Sequence, residues 1–170
     1  MIPITYIEAI GDFFPGVVVT APGIGDVYAD LVWVGGNAMP TQAELDAVIV
    51  TQTKLQVWRL IQVERDRRKA GGLLIGANWF HSDDTSRIQY LGLVMMGAGL
   101  PAGIMWKTMG GSFIEMTQTL AGQIFNAMAS KDIAIFTVAE QHKALMYAAS
   151  DPLTYNYLTG SPAWPTVYGE

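Results

Sequence analysis

Cysteine is absent from the 170-residue sequence, which excludes disulfide bonds and thiolate metal ligands. Lysine and arginine are absent from residues 1–53, whose carboxylates are Glu8, Asp12, Asp26, Asp30, Glu44 and Asp46. Residues 54–87, by contrast, carry seven of the ten Lys and Arg. A formal net charge of -5 makes the chain a poor candidate for nucleic-acid binding, so we expect no nucleic-acid partner. The separation of charge along the chain would help protein partners to align.

A clean transmembrane segment is also missing, although residues 88–106 imitate one. They carry no formally charged side chain, and their number is about that of a membrane-spanning helix. Glycines and Pro101 interrupt them, so we expect no membrane partner. The chain is nevertheless apolar, with 51% hydrophobic residues and a mean hydropathy of +0.26. Part of that apolar surface is expected to be buried between subunits of a homo-oligomer.

Turn-forming and β-branched residues dominate the first 39 positions. Residues 16–22 (GVVVTAP) and 30–36 (DLVWVGG) predict strands that are closed by turns. We interpret residues 1–39 as an N-terminal β annex or docking arm. The sequence leaves open whether its strands pair within one chain or between chains.

A long helix is predicted from about residue 42 to residue 70. Thr41 and Glu44 have the spacing of a capping box, in which each side chain satisfies a backbone N–H of the other residue. Apolar residues at spacings of three, four or six should share its buried face; they are Leu45, Val48, Ile49, Leu55, Trp58 and Ile61. Gly71 or Gly72 can supply the left-handed residue that ends the helix.

The remainder predicts an α+β fold. We expect two β-hairpins forming a small antiparallel sheet, with tight turns at Ala77–Asn78 and Gly110–Gly111. A short helix over about 84–96 lies between them, and a long C-terminal helix runs over about 118–149. Residues 151–170 contain three prolines and four aromatic residues and should form an extended tail. The predicted domains are thus residues 1–39, 40–150 and 151–170.

Two groups of residues are candidate partner-binding sites. The first is the basic run at the end of the first long helix: Arg65, Arg67, Arg68 and Lys69. Cations there also complement the carbonyl end of the helix dipole, so a solvated helix end is the competing interpretation. The second group consists of tail aromatics, which are favoured at interfaces: Tyr155, Tyr157, Trp164 and Tyr168.

His81, Asp83 and Asp84 form the most enzyme-like cluster in the sequence. A histidine with two carboxylates could hold a divalent metal or act as a base with its orienting group. The same residues are typical of a helix N-cap, and the sequence shows no Walker loop, dinucleotide fingerprint or nucleophile elbow. We therefore assign no catalytic, cofactor-binding or metal-binding residue, and we expect no enzyme and no cofactor.

One resemblance rests on the order of several motifs. A basic run followed by Gly-Gly precedes WFHSDDTSRIQYLGL (79–93), then WKTMGGSFIEMT (106–117), and finally the Ala-Glu-x-His of residues 139–142. Over about 65–146 the chain resembles a domain of unknown function found in or beside tail-fibre and baseplate proteins of tailed bacteriophages. Gly110 departs from the pattern, where Asp is expected.

The resemblance implies a setting and no reaction. It implies a virion structural protein of the phage tail, made in the bacterial host cytoplasm and contacting other tail, baseplate or fibre proteins. Attachment to a fibre would make a trimer a natural assembly. The function expected is that of a structural or adaptor protein. The alternatives are a tail-fibre assembly chaperone that leaves the virion, and a metal-dependent enzyme using His81 with Asp83 or Asp84.

Overall fold

Helices account for most of the regular structure in the computed structural model, which describes residues 3–170. They are α1 (Tyr6–Phe13), α2 (Gln42–Ala70), α3 (Asp84–Met96) and α4 (Gln118–Ala148). Short 3-10 turns lie at Tyr28–Asp30, Gly97–Gly99 and Pro152–Thr154. The predicted bounds of α2 and α3 are confirmed, and α4 ends one residue earlier than expected.

Three antiparallel hairpins supply the strands of the described residues. They are β1 (Val17–Thr20) with β2 (Val32–Gly36), β3 (Leu73–Ile75) with β4 (Asn78–Phe80), and β5 (Met105–Lys107) with β6 (Phe113–Glu115). The mixture of helices and small antiparallel sheets confirms the α+β class. The N-terminal strands pair with each other within the chain, which answers a question that the sequence left open.

Helix α1 was not predicted, because residues 1–39 were interpreted as wholly β. Its signal is present in the sequence. Thr5 and Glu8 form the same capping box as Thr41 and Glu44, with the Thr5 N–H donating to Glu8 Oε2 at 2.8 Å and the Glu8 N–H donating to Thr5 Oγ1 at 3.3 Å. Ala9 and Ile10 on its inner face are fully buried. The N-terminal segment is therefore a helix followed by a hairpin.

Two details of the other hairpins differ from expectation. The first turn lies at Gly76–Ala77 rather than Ala77–Asn78, since Ile75 pairs with Asn78 and Gly76 has a φ of +59°. A type II′ turn needs such a glycine at its first central position. The two hairpins also form separate two-stranded sheets. One backbone hydrogen bond joins them, from the Met109 N–H in the β5–β6 loop to the carbonyl of Trp79 in β4 at 2.8 Å.

The described chain divides into two compact units. One comprises residues up to Leu60 with Ala144–Tyr155, and the other comprises Ile61–Lys143 with Asn156–Glu170. This division by compactness cuts through α2 and α4. The division into domains 1–39, 40–150 and 151–170 stays a prediction.

Each unit contains its own apolar cluster. In the first unit, Ala9 and Ile10 of α1 are buried together with Leu31 and Leu45, and Val17 and Val19 of β1 pack against them. In the second, the cluster is larger and collects residues from both hairpins, α3 and α4: Leu73, Phe80, Tyr90, Met116, Ala121, Ile124 and Met128. Burial raises the pKa of Tyr90 to about 12, and its hydroxyl accepts a hydrogen bond from Trp106 Nε1 at 3.0 Å.

The buried stripe of α2 differs from the predicted one in its second half. Leu45 and Ile61 are buried as expected, but Leu55 is 37% exposed. The stripe instead continues through residues spaced by three or four, namely Thr53, Val57, Ile61, Glu64 and Arg68. Two charged residues thus lie on the inner face of the helix.

Residues 88–106 do not form one continuous element. They comprise most of α3, a 3-10 turn, a loop and the start of β5. Within the part of the chain that the structure describes, helices long and apolar enough to cross a membrane were not found.

Candidate functional site

The basic end of α2 is built around Glu64. Arg67 binds the Glu64 carboxylate with Nε and a terminal nitrogen, both at 2.8 Å, and the Nε of Arg68 donates to Glu64 Oε1. The side chains of Glu64 and Arg68 are 8% and 9% exposed. Their spacings of three and four residues bring all three onto adjacent turns of the helix. Arg68 is therefore an interior residue rather than part of a solvated helix end.

The last seven residues, 164–170, form a C-terminal strap across this helix end. The Glu170 carboxylate accepts hydrogen bonds from Arg67 at 2.9 Å and from Arg68 at 3.0 Å. Arg68 also donates to the Pro165 carbonyl at 3.0 Å, and the Tyr168 N–H donates to the Gly71 carbonyl at 2.8 Å. The strap thus adds both ion pairs and a backbone hydrogen bond to the end of α2.

Mutual electrostatic stabilisation explains the pKa directions in this cluster. The hydrogen bond from Arg67, assisted by Arg68, holds the pKa of Glu64 below its ordinary value despite burial. The pKa of Glu170 is lowered chiefly by the hydrogen bond from Arg67. The pKa of Arg67 is raised by the hydrogen bonds to Glu64 and Glu170. Opposite charges favour the ionised form of each partner, so the cluster is a closed ion-pair network.

Trp164 anchors the strap. Its ring is 7% exposed, its Nε1 donates to the Tyr157 carbonyl at 2.7 Å, and it stacks on His142 with the ring centroids 5.1 Å apart. The guanidinium carbon of Arg68 lies 5.7 Å from the Trp164 ring centroid. One aromatic side chain therefore connects the strap with α2 and α4 within the second unit.

Glycines allow the strap and the β5–β6 hairpin to approach the end of α2. A Cβ atom on Gly71 would lie 2.5 Å from Val167 Cγ1, so no larger residue fits there without displacing the strap. Gly72 has a φ of +92°, the conformation that ends a helix, and a Cβ there would collide with the Met109 sulfur. The Gly-Gly pair following the basic run is thus required by packing as well as by helix termination.

The HSDDTSR segment (residues 81–87) is hydrogen-bonded to the backbone at the same end of α2. Ser82 is 1% exposed; its hydroxyl donates to the Lys69 carbonyl at 2.7 Å and accepts from the Gly72 N–H at 2.9 Å. Arg87 donates to the Ser82 and Lys69 carbonyls at 2.6 and 3.1 Å and pairs with Asp132 at 2.7 and 2.9 Å. These side chains satisfy carbonyls that the helix leaves without an internal partner.

The His81 cluster has a structural use for one of its carboxylates. Asp83 caps α3, with its two oxygens accepting from the Ser86 N–H at 3.0 Å and the Ser86 hydroxyl at 2.7 Å. These hydrogen bonds lower the pKa of Asp83. Asp84 is 90% exposed, and His81 is exposed. Among residues 3–170, a group of three or more His, Asp or Glu side chains placed to hold a metal ion was not found.

We expect Ser82→Ala to lower the free energy of unfolding by about 1–3 kcal/mol, because the Lys69 carbonyl and the buried Gly72 N–H would each lose a partner. His81→Ala, at the neighbouring exposed position, should change the free energy of unfolding by less than about 0.5 kcal/mol. Urea unfolding of the two variants compares them directly. If both variants lowered the free energy of unfolding equally, the hydrogen bonds of Ser82 would not stabilise the end of α2.

Burial of His142 is expected to make the stability of the second unit depend on pH. It is fully buried, and desolvation lowers its pKa below 6.5, opposed by a hydrogen bond with the Pro162 backbone. Because the unfolded chain binds the proton more readily, the stability gained from neutral His142 is complete above about pH 6.5. This stability is lost as the pH falls through the lowered pKa of His142 in the folded protein. The loss is about 1.4 kcal/mol for each pH unit between the pKa of His142 in the unfolded chain and its pKa in the folded chain.

The measurement is urea unfolding between pH 8 and pH 5. We expect His142→Phe to flatten the pH dependence over this interval, whereas His81→Phe, at the other histidine of the chain, leaves it in place. A wild-type dependence that persists in His142→Phe would contradict the assignment. Carboxylate titration falls mainly below this interval, so the two histidine variants separate the contributions.

The predicted partner-binding residues fall into three groups according to their position relative to the strap. Arg67, Arg68 and Trp164 are brought together with the strap, and Tyr157 contributes its carbonyl to Trp164. Tyr168 is 45% exposed, with its ring 5.9 Å from that of Trp79. The remaining three lie elsewhere: Arg65 pairs with Asp66 at 2.8 Å, Lys69 lies 3.9 Å from Asp84, and Tyr155 belongs to the first unit.

Sequence reasoning missed the residues that complete this cluster. Glu64 had a detectable signal, its spacing of three and four residues from Arg67 and Arg68. His142 was not expected to support Trp164, whose ring stacks on it. The Nζ of Lys131 donates to the Gly72 and Thr166 carbonyls. Lys131 and Glu170 are both distant in sequence from their partners. No local pattern reveals such contacts.

Large apolar side chains are exposed on several elements outside this cluster. The β1–β2 ribbon (Val17–Thr20 and Val32–Gly36) exposes Val18, Val32, Trp33 and Val34 by at least half of their surface. Helix α3 exposes Ile88 and Met95 by 71% and 78%, and the β5–β6 hairpin exposes Phe113 by 60%. Exposed apolar side chains that adjoin one another are typical of contact sites, and those of the ribbon lie on two paired strands.

Comparison with known proteins gives one match. Residues 52–159 match the family described as Domain of unknown function (DUF4376), a range that extends at both ends beyond the 65–146 of the motif resemblance. No curated protein and no solved structure matches the chain.

Proposed function

The chain belongs to the DUF4376 family of domains of unknown function, and from that premise we propose that it is a structural or adaptor protein of a bacteriophage tail. It acts at the baseplate or at the tail-fibre attachment, through protein–protein contacts and as a homo-oligomer. The tail setting rests on the resemblance of residues 65–146 to tail-associated domains.

The observation that carries the protein–protein part is the exposed apolar surface. Ile24, Ile88 and Met95 are each at least 70% exposed, and half-exposed valines cover the β1–β2 ribbon. Exposing such side chains to water is unfavourable by about 25 cal/mol per Å² of apolar area. An assembly that covers them recovers this free energy, as subunit interfaces do.

The cluster of His81, Asp83 and Asp84 supports catalysis less well than the exposed apolar surface supports an adaptor function. Both oxygens of Asp83 are used to cap α3, and Asp84 extends into solvent. A metal-dependent enzyme using His81 with Asp83 would have to release the cap from α3. Activity lost in His81→Ala, with the fold intact, would favour this alternative over the adaptor function.

The test is quantitative mass spectrometry of gradient-purified virions, with this protein measured against the tail-tube protein. A fixed number of copies per particle is the result expected of a tail component. Presence in infected-cell lysate together with absence from particles would overturn the structural assignment and favour an assembly chaperone. Light scattering of the purified protein gives its oligomeric state, with a trimer expected for a protein attached to a fibre.

A further inference from the structure

The β1–β2 ribbon has an inner face and an outer face of different environment. Val17 and Val19 point towards the buried cluster of Ala9, Ile10, Leu31 and Leu45. The alternating residue Val18 and its diagonal neighbour Val32 are 50% and 57% exposed. Residues that alternate along a strand lie on opposite faces. Val18 and Val32 therefore lie on the outer face of the ribbon, beside Thr20 and Gly35, and the described chain does not cover them.

The edges of the ribbon are available for pairing. Among residues 3–170, β1 and β2 pair with each other and with no third strand. A two-stranded ribbon is marginally stable alone and gains from a further strand. Neither strand contains Lys, Arg, Asp, Glu or Pro, which are residues that commonly block strand addition at an edge. The single irregularity is the bulge at Val34, opposite the Val18–Val19 step.

Charge around the ribbon selects what can pair with it. Asp26 and Asp30 lie in the β1–β2 connection, and Glu8 and Asp12 lie on α1, which contacts β1. All four are exposed, and residues 3–53 contain no Lys or Arg. Symmetric pairing of two ribbons would bring these carboxylates together, which like-charge repulsion disfavours. A strand with cationic side chains would instead meet complementary charge.

We propose that the β1–β2 ribbon accepts, as a third strand, an extended segment of another protein in which apolar residues alternate with Lys or Arg. Main-chain hydrogen bonds supply affinity in this mode of recognition, and side chains supply specificity. The apolar residues cover Val18 and Val32, and the cations lie towards the carboxylates of α1 and the connection. This inference rests on the proposed function and names the docking surface and the chemistry of its partner.

Peptide titration followed by amide chemical shifts tests the proposal on the full chain. The probe is an eight-residue peptide of alternating Val and Lys. One comparison peptide has Glu in place of Lys, and another has proline at alternate positions to prevent strand pairing. We expect shifts confined to β1, β2 and their connection, with the Val/Lys peptide binding at least tenfold more tightly than either comparison peptide. Binding should weaken as salt is raised.

Two variants locate the surface. Val18→Thr combined with Val32→Thr keeps β-branched residues in the strands and should weaken binding at least tenfold. Ile88→Thr, a matched change at an exposed apolar position of α3, should leave it unchanged. No shift in the ribbon, equal affinity for the Val/Lys and Val/Glu peptides, or equal effects of the two variants would overturn the proposal. Self-association that the double variant abolishes would also overturn it, since the occupant would then be a second copy.

Virions distinguish failure of this proposal from failure of the proposed function. Wild-type protein in particles with the double variant excluded supports both. Wild-type protein and double variant present in equal amounts would overturn the ribbon as the docking surface while leaving the tail function in place. Absence of the wild-type protein from particles would overturn the proposed function, and the peptide titration would still decide the pairing chemistry of the ribbon.

Discussion

Replacing Arg68 by alanine is expected to lower the free energy of unfolding by about 3–5 kcal/mol, the usual cost of removing one partner from a buried ion pair. The variant leaves Glu64 with an 8% exposed carboxylate and Arg67 as its remaining partner. It also removes the hydrogen bonds of Arg68 to Glu170 and to the Pro165 carbonyl. The strap therefore loses much of its attachment to α2.

Arg65→Ala is the matched control, because it removes an arginine from the same basic run. Arg65 pairs with its neighbour Asp66, whose side chain is 59% exposed, and lies 4.8 Å from the Phe136 ring centroid. The Arg65 side chain is 19% exposed, and the more exposed Asp66 keeps the pair in contact with solvent. Such a pair contributes about 0–1 kcal/mol, so the loss should stay near 1 kcal/mol. Urea unfolding of both variants measures the difference. If Arg65→Ala were as damaging as Arg68→Ala, the distinction between an arginine paired with the buried Glu64 and one paired with the exposed Asp66 would be wrong.

A double-mutant cycle attributes part of the effect to the strap. Glu170→Gln, alone and combined with Arg68→Ala, gives the coupling between the two residues. We expect a coupling of about 0.5–3 kcal/mol, the range for residues in one ion-pair network. Additive losses would mean that Glu170 contacts Arg68 without stabilising it.

Local signals were sufficient to predict most elements of this fold. The capping box at Thr41, the cap residues before α3 and the glycines after α2 indicated where these helices begin and end. The same reasoning would have found α1, since Thr5 and Glu8 have the spacing of Thr41 and Glu44. The β-branched residues that follow favoured the β interpretation, and the short helix was missed for that reason.

Long-range pairing could not be predicted in the same way. Within α2 the sequence places Glu64, Arg67 and Arg68 on adjacent turns, but it does not say that Glu170, about a hundred residues later, completes the cluster. Periodicity also favoured Leu55 for the buried face, because apolar residues are normally the buried ones. The structure buries Glu64 and Arg68 instead, and it can do so because each is paired.

Motif chemistry was the least certain guide to the site. The sequence HSDDTSR contains a histidine and two carboxylates, which by residue type alone are suitable ligands for a metal ion. In the folded chain Ser82 and Arg87 bind carbonyls at the end of α2, and Asp83 caps α3. A conspicuous polar segment beside a helix end can therefore serve packing and capping, and its chemistry depends on which side chains are already engaged.

Replacing Trp164 by alanine is expected to cost about 3–5 kcal/mol, the range for truncating a buried aromatic residue. The change removes the stacking partner of His142, the hydrogen bond to the Tyr157 carbonyl and the ring beneath Arg68. Trp164→Phe keeps an aromatic ring and loses the Nε1 donor, so we expect about 1–2 kcal/mol. Urea unfolding gives the stabilities, and amide exchange of Tyr168 reports whether the strap detaches before the chain unfolds.

The two Trp164 variants also separate an internal role of the tail from a docking role. If the tail serves its own chain, Trp164→Ala lowers stability and exposes the Tyr168 amide while the oligomeric state stays unchanged at concentrations where the protein is folded. If the tail docks on a neighbour, the oligomer dissociates at those concentrations, and stability becomes dependent on protein concentration. The burial of Trp164 and Val167 within the second unit favours the first result. The exposed Tyr168 ring is then the part of the strap that stays free to contact another subunit.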